Sequence, residues 1–256
     1  MLTKIQFDQF ILAWLVLALG VFILLMFVNA PYGRHIRSGW GINIPAKLGW
    51  IAMESPTIII MTVYFYYHSF VVNSISLTAT LFYAMWMFHY IHRTLVWPFR
   101  AQINKKKMPI SIALFAIFFN SINTGINAQA IFEIYSPYPE NWVTSPKFIC
   151  GIFLFLVGMW INISSDNTLI KIRRQSHNEY VIPQGKLYKW VSSPNYLGEI
   201  IEWIGWAIAI WSLAGFSFAF WVIANLLPRA KSNHLWYLEN FKDYPKERRK
   251  LIPRIW

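Results

Sequence analysis

At 256 residues, 56% hydrophobic and only 13% charged, the chain departs from a water-soluble domain, in which roughly a quarter of residues are charged. A single soluble core is excluded, and the composition requires a set of membrane-crossing helices instead. The net charge of +12 points to no nucleic-acid partner, because the basic residues fall in short segments between apolar runs, and a lone Cys150 excludes a disulfide framework and a thiolate metal site.

A helix needs roughly 20 apolar residues to cross hydrocarbon about 30 Å thick. The first such run, 7–28, follows Lys4; it is too long for a secretory signal and Pro31 spoils a cleavage site beyond it, so it reads as a retained span. Further runs cover 51–72, 75–96, 110–132 and 148–170, and the stretch from Tyr196 to Leu227 is either one overlong tilted helix or two helices broken near Gly215. Lysine and arginine placement decides between these. Arg34, Arg37 and Lys47 lie between the first two spans, a second group runs from Arg93 to Lys107, a third from Lys171 to Lys189, and a fourth from Arg229 to Arg254; together they hold 21 of the 23 basic residues. Only seven spans put all four groups on one face, as the positive-inside bias demands.

The expected fold is therefore an all-α integral membrane protein. It is one domain of seven transmembrane helices, with the last stretch split into 196–212 and 215–229, the N-terminus outside and the C-terminus cytoplasmic. Residues 231–256, with Trp236, Tyr237, Phe241 and Tyr244 among charges, read as an interfacial tail, a basic anchor on membrane lipid or part of a site. Short loops fit a compact bacterial form; the expected location is the inner membrane if the source is bacterial and the endoplasmic reticulum if it is eukaryotic, and the expected state is a monomer.

Ionisable groups inside apolar helices carry the function. A carboxylate at a span centre costs about 2.5 to 3.5 kcal/mol, and Glu54 lies near one end of the second span, two residues before Pro56, which is expected to loosen the local helix. It is either an interfacial acid reaching for water or a functional group. The third span ends in His89-Tyr90-Ile91-His92-Arg93; six histidines in the chain are too few and too scattered for a multi-histidine cluster, so no metal is expected, and Tyr90 with Arg93 either serves an anionic ligand or snorkels. In the fifth span Asn162, Asp166 and Arg173 share one stripe if the helix continues past the interface. They can bind hydroxyls, amides and phosphates, or simply join helices. Glu199 and Glu202, three apart in the sixth span, are either acids on a helix N-terminus or a pair needing a cation. Gly39-Trp40-Gly41 lacks the third glycine and the strand-turn-helix setting of a dinucleotide fingerprint.

These residues, together with Tyr32-Gly33-Arg34-His35, Ile161 to Asp166, Tyr180-Val181-Ile182-Pro183-Gln184-Gly185, Asn195 to Trp203 and Phe241-Lys242-Asp243-Tyr244-Pro245-Lys246, make a chain that resembles the steroid 5α-reductase family of membrane oxidoreductases from Tyr32 to its C-terminus. The resemblance implies NADPH-dependent reduction of the Δ4 double bond of a 3-oxo-steroid. It implies that Glu54 and Tyr90 hold the 3-oxo group within a substrate site that includes Trp50 and Met53. It assigns the cofactor to Arg93, Asn162, Asp166, Arg173, Tyr180, Asn195, Glu199, Trp203, Arg229, His234 and Tyr237. The implied chemistry is conjugate reduction, with a hydride added at C5 and the developing oxyanion met by the Tyr90 hydroxyl and a protonated Glu54. Two departures stand out: Asn233 replaces the first histidine of a pair found in many relatives, and Met53 replaces a glutamine, which leaves the exact steroid open. Glu202 has no assigned role. Competing readings are an isoprenylcysteine-type membrane methyltransferase using S-adenosylmethionine and a non-enzymatic sterol or lipid carrier.

Overall fold

The computed structural model describes residues 3–29, 33, 36, 39–176 and 180–256; Tyr32, Arg34, His35, Arg37 and His177, used in the motif and charge arguments above, lie outside them. The protein is almost wholly helical: α1 (Lys4–Phe27), α2 (Ala46–Tyr66), α3 (Leu77–Ile91), the short α4 (Trp97–Arg100), α5 (Ile110–Gln129), α6 (Pro146–Gln175), α7 (Pro194–Ile210) and α8 (Leu213–Asn240). The only sheet among the described residues is an antiparallel pair, β1 (Asn43–Pro45) with β2 (Lys107–Pro109). π-helical turns extend α2 to Val71 and α5 to Ile134, and another joins α3 to α4, so α3 and α4 form one long segment. Five of the helical segments, α1, α2, α5, α6 and α8 with their extensions, are long and apolar enough to cross a membrane. The other two long segments are α3–α4, which carries His89, His92 and Arg93, and α7, whose 17 residues span about 26 Å.

Local chemistry sets several helix ends. Ser76 caps α3, its hydroxyl accepting from the Ala79 amide (3.1 Å), and Ser145 does the same for Phe148 ahead of Pro146 at the start of α6 (3.2 Å). Pro56 does not interrupt α2. It lacks the amide that the Ala52 carbonyl would accept, and the Ser55 hydroxyl donates to that carbonyl instead (3.0 Å).

Two helix boundaries fall elsewhere than the sequence suggests. The long apolar stretch is indeed two helices, but the break falls at Trp211–Ser212 rather than near Gly215, because Trp211 takes a left-handed backbone (φ 44°) that ends α7. The last span, expected to end at residue 229, continues as helix: α8 runs through Pro228 to Asn240. Beyond Arg229 it keeps burying one face, with Ala230 and Tyr237 seven apart, while Lys231 donates to the Met26 carbonyl of α1 (3.1 Å).

The chain divides into two compact units, residues 1–8, 31–149 and 210–214 in the first and 9–30, 150–209 and 215–256 in the second. In the first, α2 and α5 run parallel: Met53 of α2 meets Asn120 midway along α5, and His68 meets Glu133 near their far ends (3.8 Å). Both emerge from the β1–β2 clasp, where Met108 packs so closely on Gly49 that any Cβ there would overlap its sulfur. In the second unit α6 and α7 pack backbone to backbone. A Cβ on Gly151 would meet Ala209 N at 2.5 Å, on Gly205 Phe155 N at 2.4 Å, on Gly158 Glu202 N at 2.3 Å, and on Gly198 Asn162 N at 2.4 Å. One partner number rises as the other falls, so the pair is antiparallel, and small residues allow the close approach.

Candidate active site

In the first unit two indoles tie α2 to α3. Trp50 donates through Nε1 to the Arg93 carbonyl and Trp86 donates through Nε1 to the Thr57 carbonyl, each at 3.1 Å. These rungs make the helices antiparallel and in register, and both Glu54 on α2 and Tyr90 on α3 lie between them. Glu54 is half-buried. Tyr90 is buried with its ring against Trp86 (4.9 Å) and His89 (4.8 Å). Asn120 of α5 reaches the same level, its Nδ2 donating to the Met53 carbonyl (2.6 Å) and to Glu54 Oε2 (3.3 Å). Met53 is buried in a small apolar cluster with Ala46, Met108 and Ala113. The Arg93 guanidinium lies over Trp50 (4.6 Å) and Trp97 (4.9 Å), whose indoles pack at 4.4 Å. Thus Arg93, grouped by resemblance with the cofactor residues, shares this unit with Trp50, Met53, Glu54 and Tyr90.

The second unit gathers Asn162, Asp166, Asn195 and Glu199. Helix α6 does continue to Gln175, which places Asn162, Asp166 and Arg173 on one helix as the stripe requires. Asn162 Nδ2 donates to the Asn195 carbonyl (3.0 Å) and to Glu199 Oε2 (3.3 Å), and Asn195 Nδ2 donates to Asp166 Oδ1 (3.0 Å). Asn162 and Asp166 are buried, Asn195 and Glu199 half-buried. The glycine contacts of α6 with α7 bring these side chains within reach, since Gly198 sits directly on the Asn162 backbone. Glu202 packs its backbone on Gly158 and is fully buried, a setting unlike that of a solvated helix-terminal acid. Trp203, 1% exposed, lies in an aromatic cluster with Phe155, Trp206 and Phe218.

The remaining candidates lie along α8 and the segments packed on it. Arg229 follows Pro228 and is half-buried. Tyr180 meets the Trp236 ring edge-on (5.0 Å), and Tyr237 stacks on Tyr244 (5.1 Å, 7° between planes). His234 Nδ1 and the Tyr244 hydroxyl both hydrogen-bond the Ser192 hydroxyl, at 2.6 and 2.7 Å. Burial raises the ionisation of Tyr244 above the ordinary tyrosine value. Tyr188, fully buried beneath this region, is pushed well above it by burial first and then by Asp166.

Sequence reasoning missed Asn120. Its signal was present: Asn120, Asn123, Thr124 and Asn127 recur at helical spacing in an apolar segment, and all four are buried. Ser192, which joins His234 to Tyr244, had no such signal, because a lone serine before a helix reads as a cap.

Comparison with known proteins finds a family profile described as 3-oxo-5-alpha-steroid 4-dehydrogenase that matches residues 106–256. Steroid 5-alpha-reductase DET2 of Gossypium hirsutum is 39% identical over 254 residues, 98% of this chain and 97% of the relative. The 3-oxo-5-alpha-steroid 4-dehydrogenase 1 of Rattus norvegicus is 39% identical over 228 residues, 89% of this chain and 87% of its own length. Its Homo sapiens counterpart is 37% identical over 244 residues, 94% and 93% of the two chains.

Proposed function

The chain belongs to the 3-oxo-5-alpha-steroid 4-dehydrogenase family, the steroid 5-alpha-reductases, and from that premise we propose that it reduces the Δ4 double bond of a 3-oxo-Δ4-steroid with NADPH, as a membrane enzyme of seven spans. The family makes it an oxidoreductase of steroid metabolism. The observation that carries the finer reading is the Asn120–Glu54 hydrogen bond (3.3 Å), which sets a carboxyl at the level of the buried Tyr90 phenol.

With Glu54 Oε2 accepting from Asn120, the acid proton belongs on Oε1, and the Tyr90 hydroxyl supplies a second donor. Two neutral donors fit a steroid 3-oxo oxygen that gains negative charge during reduction, where prearranged hydrogen bonds do most of the work. Trp50 and Met53 supply apolar surface for the steroid body, and a sterol can reach the site from lipid.

The donor set in the second unit fits a nicotinamide dinucleotide. Amides on Asn162 and Asn195 alternate with carboxylates on Asp166 and Glu199, matching the needs of a carboxamide and ribose hydroxyls, and the Arg173 cation suits a phosphate. When bound, NADPH would supply the hydride that adds at C5, and a proton taken up at C4 from water would complete the saturation. Tyr180, Trp203, Arg229, His234 and Tyr237 complete the cofactor set in this reading.

The test is purified protein in detergent with NADPH and a panel of 3-oxo-Δ4-steroids. NADPH absorbance should fall while the 5α-reduced steroid appears. Steroid binding with flat absorbance across the panel would favour a carrier, and transfer of a methyl group from S-adenosylmethionine would favour a methyltransferase.

A further inference from the structure

Three segments of the second unit meet at Ser192: the connection into α7, the extension of α8 that carries His234, and the C-terminal tail. The backbone there is fixed from both sides, because Arg249 donates its amide to the Trp190 carbonyl (2.9 Å) and accepts at its own carbonyl from the Ser192 amide (2.9 Å). The hydroxyl so placed belongs to a residue only 5% exposed and has three polar neighbours: His234 Nδ1 at 2.6 Å, the Tyr244 hydroxyl at 2.7 Å and the Arg249 carbonyl at 3.2 Å.

A hydroxyl carries one proton and two lone pairs, so these contacts give the group a direction. The Tyr244 phenol is the stronger acid of the two hydroxyls and donates to Ser192 Oγ. Burial keeps that phenol protonated, as the donation requires. The Ser192 proton then goes to His234 Nδ1, the nearer of the two remaining acceptors; the Arg249 carbonyl is farther and already holds the Ser192 amide. With Nδ1 accepting, a neutral imidazole bears its hydrogen on Nε2. A second ring proton is opposed by the charges of Lys246, Arg248, Arg249 and Lys250, which line the same cavity as His234.

Resting on the reading that His234 is a cofactor residue, we propose that Ser192 is a positioning residue for NADPH, holding His234 in the Nε2–H form so that the ring presents a neutral hydrogen-bond donor to an acceptor oxygen of the dinucleotide. The opposite tautomer would turn a bare nitrogen lone pair toward that oxygen and repel it. Tyr244 sets the direction of the relay and Ser192 transmits it. Capping α7, the ordinary role of a serine ahead of a helix, would leave the imidazole free to take either form.

The experiment reads the His234 tautomer by NMR of the ring nitrogens in histidine-labelled full chain in detergent, with His234→Gln assigning the signal, and reads NADPH affinity by fluorescence titration. The unaltered protein should show the Nε2–H form alone at neutral pH. Ser192→Ala should mix the two forms and weaken NADPH binding about tenfold, the scale of one hydrogen bond poorly made. Ser192→Thr, which keeps the hydroxyl, should restore both. The amide introduced by His234→Gln is a donor without tautomers, so in that background Ser192→Ala should cost no further affinity. Should Ser192→Ala fail to fold, Tyr244→Phe, which removes only the phenol hydroxyl, should mix the forms by itself. An Nδ1–H signal in the unaltered protein, a further loss of the same size from Ser192→Ala in the His234→Gln background, or a single tautomer in Tyr244→Phe would overturn the proposal. If 3-oxo-Δ4-steroids go unreduced while Ser192→Ala still weakens NADPH binding, the steroid reading fails and the relay stands. If steroid is reduced and Ser192→Ala binds NADPH normally, the relay fails and the steroid reading stands.

Discussion

Replacing Gly198 with alanine places a methyl carbon 2.4 Å from Asn162 N and 2.7 Å from the Gly158 carbonyl oxygen. Ordinary contact begins at 3.4 Å, and both obstacles are backbone atoms that cannot swing aside, so α7 must retreat from α6 by about 1 Å. The Asn162 Nδ2 bonds to the Asn195 carbonyl and to Glu199 Oε2, now 3.0 and 3.3 Å, would then stretch to about 4 Å, past the hydrogen-bonding range. Overpacking costs about 1–3 kcal/mol and the lost polar contacts about 0.6 kcal/mol each. The melting temperature in detergent should fall by roughly 5–10 °C on the usual scaling. Cofactor affinity should fall about tenfold, further than stability alone explains, because the amide and carboxylate proposed to hold the cofactor are pulled apart at about 1–1.5 kcal/mol for a lost hydrogen bond. Fluorescence titration with NADPH alongside differential scanning fluorimetry separates the two effects. Gly20→Ala is the control: nothing lies within 4 Å of its Cβ position, so it should be neutral or slightly stabilising, as alanine favours a helix over glycine by about 1 kcal/mol. If Gly198→Ala melts and binds like the unaltered protein, the close helix contact does not organise the polar cluster and the reasoning fails.

Glu54→Gln keeps a donor and should retain more turnover than Glu54→Ala; equal losses in a steady-state assay would rule out the donor role. Asn120→Ala removes the hydrogen bonds to Met53 and Glu54 and should lower kcat about tenfold, in line with about 1–2 kcal/mol for one buried polar contact, while the KM for NADPH holds. A rise in that KM with kcat intact would contradict its placement at the substrate end. Because folding holds Tyr188 and Tyr244 above the ordinary value, the folded state favours their neutral form. The stability this confers is complete below about pH 10 and is lost as pH rises through the elevated values. Denaturant titrations should show stability falling on the alkaline side, with tyrosinate absorbance lagging until unfolding; ionisation of every tyrosine near pH 10 in the folded protein would refute it.

Much of this protein is written in one dimension. Hydropathy and basic-residue spacing separate α7 from α8 before any coordinates are considered, because lipid exposure imposes its cost residue by residue. The Asn162–Asp166 stripe is equally local, since a helix places residues four apart on one face. Helix ends are less legible. Burial of the Ala230 and Tyr237 face carries α8 past its apolar run to Asn240, and a left-handed Trp211 moves the break away from the more obvious Gly215.

Partnership between segments lies beyond the linear chain. That Asn120 would serve Glu54, 66 residues earlier, depends on the parallel register of α2 and α5, which rests on contacts at both ends of the helices. The meeting of Asn195 with Asp166 depends on glycines at 158 and 198 letting two backbones touch. The bond from Arg248 to Gln184 is visible only once the tail folds against Trp190 and Ser192. By itself the sequence determined the helical membrane class, the polar groups and the family they resemble, because composition, spacing and motif are properties of consecutive residues. Only the tertiary structure decided which of those polar groups pair, because hydrogen bonding and desolvation depend on neighbours that the fold, not the chain order, supplies.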